Sequence, residues 1–200
     1  MEIVTPGFTG RPRPEGVALP PGQYLTDDFP VLSATTTPRI DPAGWSVTVT
    51  TEHGVEHRWS WTQLLRLPQE KPVVDIHCVT RWSKLGTSWK GVSIDTLLAD
   101  VESMADYAMV GCEGGYTTNL PLSDLLGGKA WLVHTYEGAP LHPVHGGPVR
   151  LLVPGLYFWK SAKWVTSIRL ATTDSPGFWE RLGYHDRGDP WREQRYQGDL

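Results

Sequence analysis

Cysteine is nearly absent from this chain. Only Cys78 and Cys112 occur in 200 residues. Two cysteines cannot build a disulfide framework, so a reducing compartment, the cytoplasm, is the expectation. There is no Cys-x-x-Cys pair, no Cys-x-x-Cys-His haem motif and no cysteine set for an iron–sulfur cluster. Long apolar runs are also lacking. Residues 1–21 hold no hydrophobic signal region, no twin arginine and no membrane-length stretch. A basic balance is missing too. The formal net charge is −4 and the pI about 5.9, which sets nucleic acid aside as the main partner.

What the chain has in abundance is tryptophan, glycine and proline, at 10, 21 and 17 residues. That mixture excludes a helical bundle and points to a loop-rich, mainly β chain. Residues 1–24 read as an extended arm, and Phe29-Pro30-Val31-Leu32-Ser33 as a segment docking on the domain. Trp45–Thr50 alternates with period two, turns at Glu52-His53-Gly54 and returns over Val55–Trp59 as a hairpin. Ser60 and Gln63 fit a capping box for a short helix that Pro68 ends. Further short helices are expected over 92–101 and 121–126. Strands are expected over 72–76, 107–112, 130–135, 149–153 and 164–170, the last with Trp164, Thr166, Ile168 and Leu170 on one face. One α+β domain over 25–172 results, followed by an aromatic, charged tail over 173–200.

Two stretches carry chemistry. The first is Asp75-Ile76-His77-Cys78-Val79-Thr80-Arg81-Trp82, a strand that ends on a cysteine with cations close by. Such neighbours favour the thiolate, the form that attacks electrophiles or binds soft metals. An inert buried thiol, a Cys–His nucleophile with His77, His134 or His145 as base, and a metal site are all open on these residues. Trp82 and Trp89 flank the loop and are expected to shape a pocket. Cys112 lies in an apolar flank and reads as structural.

The second stretch runs from His142 to Trp164. Gly146-Gly147 allows close backbone approach. His145, Arg150, Lys160 and Lys163, with Ser161, form a cationic set suited to an anion such as a phosphate.

Here the chain resembles the molybdopterin-binding domain of the sulfite oxidase family, and within it the short single-domain bacterial members. That family has one strand-end cysteine, then a His/Asn-Gly-x-Pro-apolar-Arg element, then Val-Pro-Gly and a Lys-Ser-x-Lys-Trp-type loop. This chain has Cys78, then His145-Gly146-Gly147-Pro148-Val149-Arg150, Val153-Pro154-Gly155 and Lys160-Ser161-Ala162-Lys163-Trp164. The resemblance implies mixed β-sheets with short helices and one Mo-molybdopterin per chain. It implies Cys78 as the molybdenum ligand, and His145 and Arg150 as holders of the pterin and its phosphate. Ser161, Ala162 and Lys163 would form the wrapping loop, with Phe29, Pro30 and Val31 closing over the cofactor. A further contact would fall at Cys112 or Glu113.

Arg81, helped by His77, is placed nearest the substrate. The family's oxidases carry an adjacent arginine pair after the cysteine, whereas here Arg81 stands beside Trp82. Its reductase branch is also short of such arginines. The implied activity is oxygen-atom transfer on a small substrate, a sulfite-like oxyanion or an S- or N-oxide. Electrons would be exchanged with a separate haem or flavin protein, a membrane-bound one included. A monomer is expected, because the oxidases' C-terminal dimerisation domain has no counterpart. A non-catalytic molybdopterin-binding protein and a Cys–His hydrolase are the competing readings.

Overall fold

The computed structural model describes residues 16–200. Of the arm expected over 1–24, residues 1–15 lie outside the described residues. Two sheets organise the rest. The first contains β1 (Tyr24–Leu25), β4 (Val73–His77), β5 (Trp82–Ser93), β8 (Trp131–Tyr136), β9 (Ala139–Pro140) and β10 (Arg150–Leu152). The second has the order β3 (Glu56–Ser60), β2 (Ser46–Thr50), β11 (Val165–Ala171), β6 (Tyr107–Cys112) and β7 (Thr117–Pro121). Parallel pairing of β2 with β11 brings the start of the domain beside its end.

The first sheet has apolar side chains packed on both faces. Leu132 and Leu151 join one core with Val47, Val110 and Ile168, while Val133 and Leu152 join a second core with Cys78, Trp82 and Trp89. Neighbouring residues of a strand point to opposite faces. A strand buried on both sides therefore reads as a continuous apolar run, which is why 149–153 shows no alternation. β5, 12 residues long, pairs with β1, β4 and β8 and is the spine of this sheet.

The helices are α1 (Trp61–Arg66) and α2 (Ile94–Leu98). In α1 the capping box forms: Gln63 N donates to Ser60 Oγ and Ser60 N donates to Gln63 Oε1 at 2.8 Å. The helix expected over 92–101 starts later, because β5 continues through Ser93 and Ser93 then caps α2. The helix expected over 121–126 is a single 3-10 turn, Leu122–Asp124. In β11 the pairing with β6 slips between Val165 and Ser167. Thr166 is the extra residue of a bulge, so Val165 rather than Thr166 is buried, with Ile168 and Leu170 in phase beyond it.

Candidate active site

Cys78 immediately follows β4, and the chain returns into β5 through Cys78-Val79-Thr80-Arg81. Cys78 N donates to Trp82 O and Arg81 N to Cys78 O, both at 2.9 Å. Arg81 closes this turn with φ 78, a left-handed conformation that costs a non-glycine residue about 1–2 kcal/mol. Alternation separates the neighbours. Cys78 lines a cavity of ≈ 240 Å³, whereas His77 does not. His77 is buried elsewhere, with Nδ1 2.8 Å from Ser83 Oγ and its ring 6.2 Å from that of Trp191. The Cys78 thiol is buried, which pushes its pKa up; the Thr80 hydroxyl, 3.1 Å from Sγ, and the charge of Arg195 act in the opposite direction.

The second stretch lines the same cavity. His145 ends a 3-10 turn (Pro143–His145), and Gly146 takes φ 109 after it. A Cβ on Gly147 would lie 2.0 Å from Leu141 O, and one on Gly146 3.0 Å from the Cβ atoms of Arg150 and Lys163. The glycines thus let the chain and its two cationic stems pass each other, rather than leaving room for a ligand.

Arg150 is 1% exposed and donates through Nη1 to His145 O at 2.7 Å and through Nη2 to Ser161 O at 2.6 Å. Its guanidinium lies 4.1 Å from the Phe158 ring centroid. Burial pulls its pKa down to about 9, so it stays cationic at neutral pH. Lys163 Nζ donates to Ser33 Oγ and Val144 O, each at 2.7 Å. Burial, then the Arg150 charge, lowers its pKa to about 7. Burial, Arg150 and Lys163 together lower His145 to about 4 and leave its imidazole neutral. Phe29 stacks on that imidazole at 4.0 Å and 9°.

Of the sequence-predicted site, the cavity brings together Cys78, Phe29, Pro30, His145, Arg150, Ser161, Ala162 and Lys163. It does not bring in His77, Arg81, Val31 or Glu113. Val31 is 41% exposed, and Arg81 and Glu113 are exposed on turns. Cys112, the alternative to Glu113, is buried away from the cavity, and burial raises its pKa to about 12. Trp82 lines the cavity, while Trp89 packs outside its lining with Nε1 on Thr87 Oγ1.

Lys160 departs from the expected cationic set. It is the last residue of a 3-10 turn (Phe158–Lys160) that points it inward, away from the cavity. Its Nζ lies 2.6 Å from Glu180 Oε1 in an ion pair with no exposed side-chain surface. It also donates to Asn119 O and Asp186 O.

Several wall residues carry no local signal. Tyr116, Trp159, Trp179 and Tyr184 line the cavity, the last two from the tail. Thr80 lines it too, and a hydroxyl two residues after a turn cysteine is the one feature here that spacing could have marked.

Four wall atoms are buried without a hydrogen-bond partner among the described residues: Thr35 Oγ1, Trp82 Nε1, His145 Nδ1 and Arg150 Nε. Unpaired buried polar groups are costly, and their convergence on one cavity calls for a polar ligand. With two cations, aromatic rings and a thiol on one wall, the donor set fits an anionic ring compound that brings a soft metal to Cys78. A Cys–His dyad is not formed. The hydrogen bond to Cys78 Sγ among the described residues comes from Thr80, and His134 is engaged with Gln69 and Thr135 outside the cavity.

Comparison with known proteins agrees with this chemistry. Residues 34–179 match the oxidoreductase molybdopterin binding domain. The chain is 43% identical to the uncharacterised oxidoreductase YuiH of Bacillus subtilis, over 90% of this chain and 93% of that protein. It is 28% identical to a protein-methionine-sulfoxide reductase catalytic subunit of Gluconobacter oxydans, over 78% of this chain and 56% of that protein. It is 24% identical to mouse mitochondrial sulfite oxidase, over 84% of this chain but 38% of that protein. Among solved structures, the sulfane dehydrogenase SoxCD of Paracoccus pantotrophus matches with a TM-score of 0.65. That match covers 87% of this chain and 53% of the other at 14% identity, and bears on the fold alone. The chain belongs to the oxidoreductase molybdopterin-binding domain family, with a sulfite-oxidase-like fold, and is a molybdenum-dependent oxidoreductase whose cofactor is Mo-molybdopterin.

Proposed function

We propose that the protein transfers an oxygen atom to or from a small neutral substrate, an S- or N-oxide or its reduced partner, and exchanges electrons with a separate carrier. The observation that carries this reading is that Cys78 shares one cavity with His145, Arg150, Ser161, Ala162 and Lys163. When bound, the cofactor supplies two-electron oxygen-atom exchange at the metal. The chain supplies the rest. Cys78 offers the thiolate ligand, and the Thr80 hydroxyl donates to its sulfur. Lys163 and the free Nε of Arg150, both on the cavity wall, would hold the phosphate. Phe29, stacked on His145, with Pro30, residues 32–35, Trp179 and Tyr184, encloses the cavity and limits access of water.

The choice of a neutral substrate rests on the residues that follow Cys78 in the turn. Val79 and Thr80, which follow Cys78 in the chain, line the cavity, the Thr80 hydroxyl donates to the sulfur, and Arg81 lies outside the lining. A dianion such as sulfite would need a further cation in the lining, whose Arg150 and Lys163 are assigned to the cofactor. An oxyanion is the second reading, favoured by Arg81 on the turn that carries Cys78. No haem or iron–sulfur motif occurs in the sequence, which supports a separate haem or flavin carrier.

Two dye assays test the substrate. Sulfoxide-dependent oxidation of a reduced viologen should exceed sulfite-dependent reduction of an oxidised dye by at least about tenfold in kcat/KM. Faster turnover of sulfite would contradict the neutral-substrate reading.

A further inference from the structure

Arg195 is buried at 6% exposure yet does not line the cavity. Its guanidinium is divided among three chain segments. Nη1 donates to Val79 O, Nη2 to Pro21 O at 3.2 Å, and Nε to Glu193 Oε1 at 3.4 Å. Its face lies over the Tyr157 ring, 5.0 Å from the centroid. Burying a guanidinium is expensive unless its donors are matched, and here each nitrogen has an acceptor.

The backbone bends to bring it there. Glu193 adopts φ 55, and Arg195 N then donates to Asp199 Oδ2 at 2.8 Å. Opposite stands Gly22 with φ 69. A Cβ there would lie 2.9 Å from Glu193 Oε1 and 3.3 Å from Arg195 Nη2. The segment before β1 and the tail are therefore packed to contact around this one side chain.

What they hold is the turn that presents Cys78. Cys78 O accepts from Gln23 Nε2 at 3.0 Å, across 55 residues of sequence. The next carbonyl, Val79 O, accepts from Arg195, across 116 residues. Two successive peptides of the turn are thus fixed from two distant parts of the chain, and one of the two anchors is a cation.

We propose that Arg195 is a positioning residue for the Cys78 ligand: its fork fixes the Val79 peptide, and its charge stands behind the thiolate from outside the cavity. This rests on the reading of Cys78 as the molybdenum ligand. The two parts are separable, because the fork is particular to arginine while lysine keeps only the charge. Partners of a metal ligand act in this way on both affinity and tuning.

The test compares purified, molybdenum-quantified wild type with Arg195→Lys and Arg195→Gln. Four quantities are read: the midpoint potential of the bound centre, amide hydrogen exchange over residues 79–82, kcat and KM. In Arg195→Gln the potential should fall, because a cation that favours the electron-rich form is gone. Exchange over 79–82 should quicken, and kcat should drop about tenfold or more while KM stays within about twofold. Arg195→Lys should recover the potential but not the exchange protection. A lower melting temperature in Arg195→Gln with wild-type potential and kcat would make Arg195 a fastener of the tail and overturn the proposal. So would an Arg195→Lys variant whose potential stays with that of Arg195→Gln. Wild type without molybdenum would sink the functional reading itself. The hold on the turn is then judged from exchange alone: quicker exchange in Arg195→Gln upholds it and equal exchange overturns it.

Discussion

Arg150 spends both terminal nitrogens on the carbonyls of His145 and Ser161, whereas Lys163 holds its ammonium at a half-buried rim between Val144 and Ser33. The two cations therefore answer differently to mutation. Arg150→Ala leaves two carbonyls beside a cavity without their donor, so it should cost about 3 kcal/mol or more as well as cofactor. A thermal melt of the apoprotein that matches wild type would show that Arg150 serves the ligand alone. Lys163 instead gives a pH signature. Its folded value of about 7 lies below the ordinary 10.5. A phosphate favours the protonated ammonium, so cofactor should be held best below that value and lost more readily as pH rises through it. Retention on dialysis should be higher about one unit below 7 than about one unit above, and Lys163→Met should flatten the difference. Retention that rises with pH would remove Lys163 from the phosphate site. At this scale the sequence was informative about type and order, and less so about direction. Cys78, His145, Arg150 and Ser161-Ala162-Lys163 converge as their motifs imply. Lys160, three residues from Lys163, does not, because a 3-10 turn between strands sends it into the protein.

The tail is the element that local pattern left undefined. It has no period, yet Glu180 sits at its centre with no exposed surface. Glu180 Oε1 accepts from Thr118 Oγ1 and Trp159 Nε1 at 3.0 Å and pairs with Lys160. This clasp ties the tail to the loop that carries Ser161–Lys163, and it places Trp179 and Tyr184 on the cavity wall. Lys160→Met would leave Glu180 a buried charge without its ion-pair partner. We expect a loss of about 3–5 kcal/mol, or about 10 °C in melting temperature. The pterin content per folded molecule should stay near wild type. Selective loss of pterin without loss of stability would return Lys160 to the cofactor site. Other element-level departures have similar causes. The bulge at Thr166 changes the phase of β11, and Ser93 serves both as the last residue of β5 and as the cap of α2. Neither a phase change nor a shared boundary residue is visible to a periodicity argument.

Across the whole molecule, a sheet with apolar packing on both faces separates a larger core from a smaller aromatic one, and the cavity opens beside the smaller. The contributions come from far apart in sequence: the segment from Phe29 to Thr35, the turn between β4 and β5, residues 145–150, residues 158–164 and the tail. The α+β class and seven of the strands were legible because alternation, turns and the capping box are local, whereas β5, the spine of the first sheet, and β7, β1 and β9 were not expected. The convergence was legible only through the resemblance, since no spacing rule links Cys78 to Lys163 or Arg195 to Val79. The central claim is that this cavity holds one molybdopterin whose metal is bound by Cys78. Elemental and pterin analysis of protein made in a molybdopterin-producing host tests it most directly, with Cys78→Ser beside the wild type. The account predicts about one molybdenum per wild-type chain, with metal lost from Cys78→Ser while the fold persists. Wild type without molybdenum, or Cys78→Ser with a full complement of metal, would contradict it.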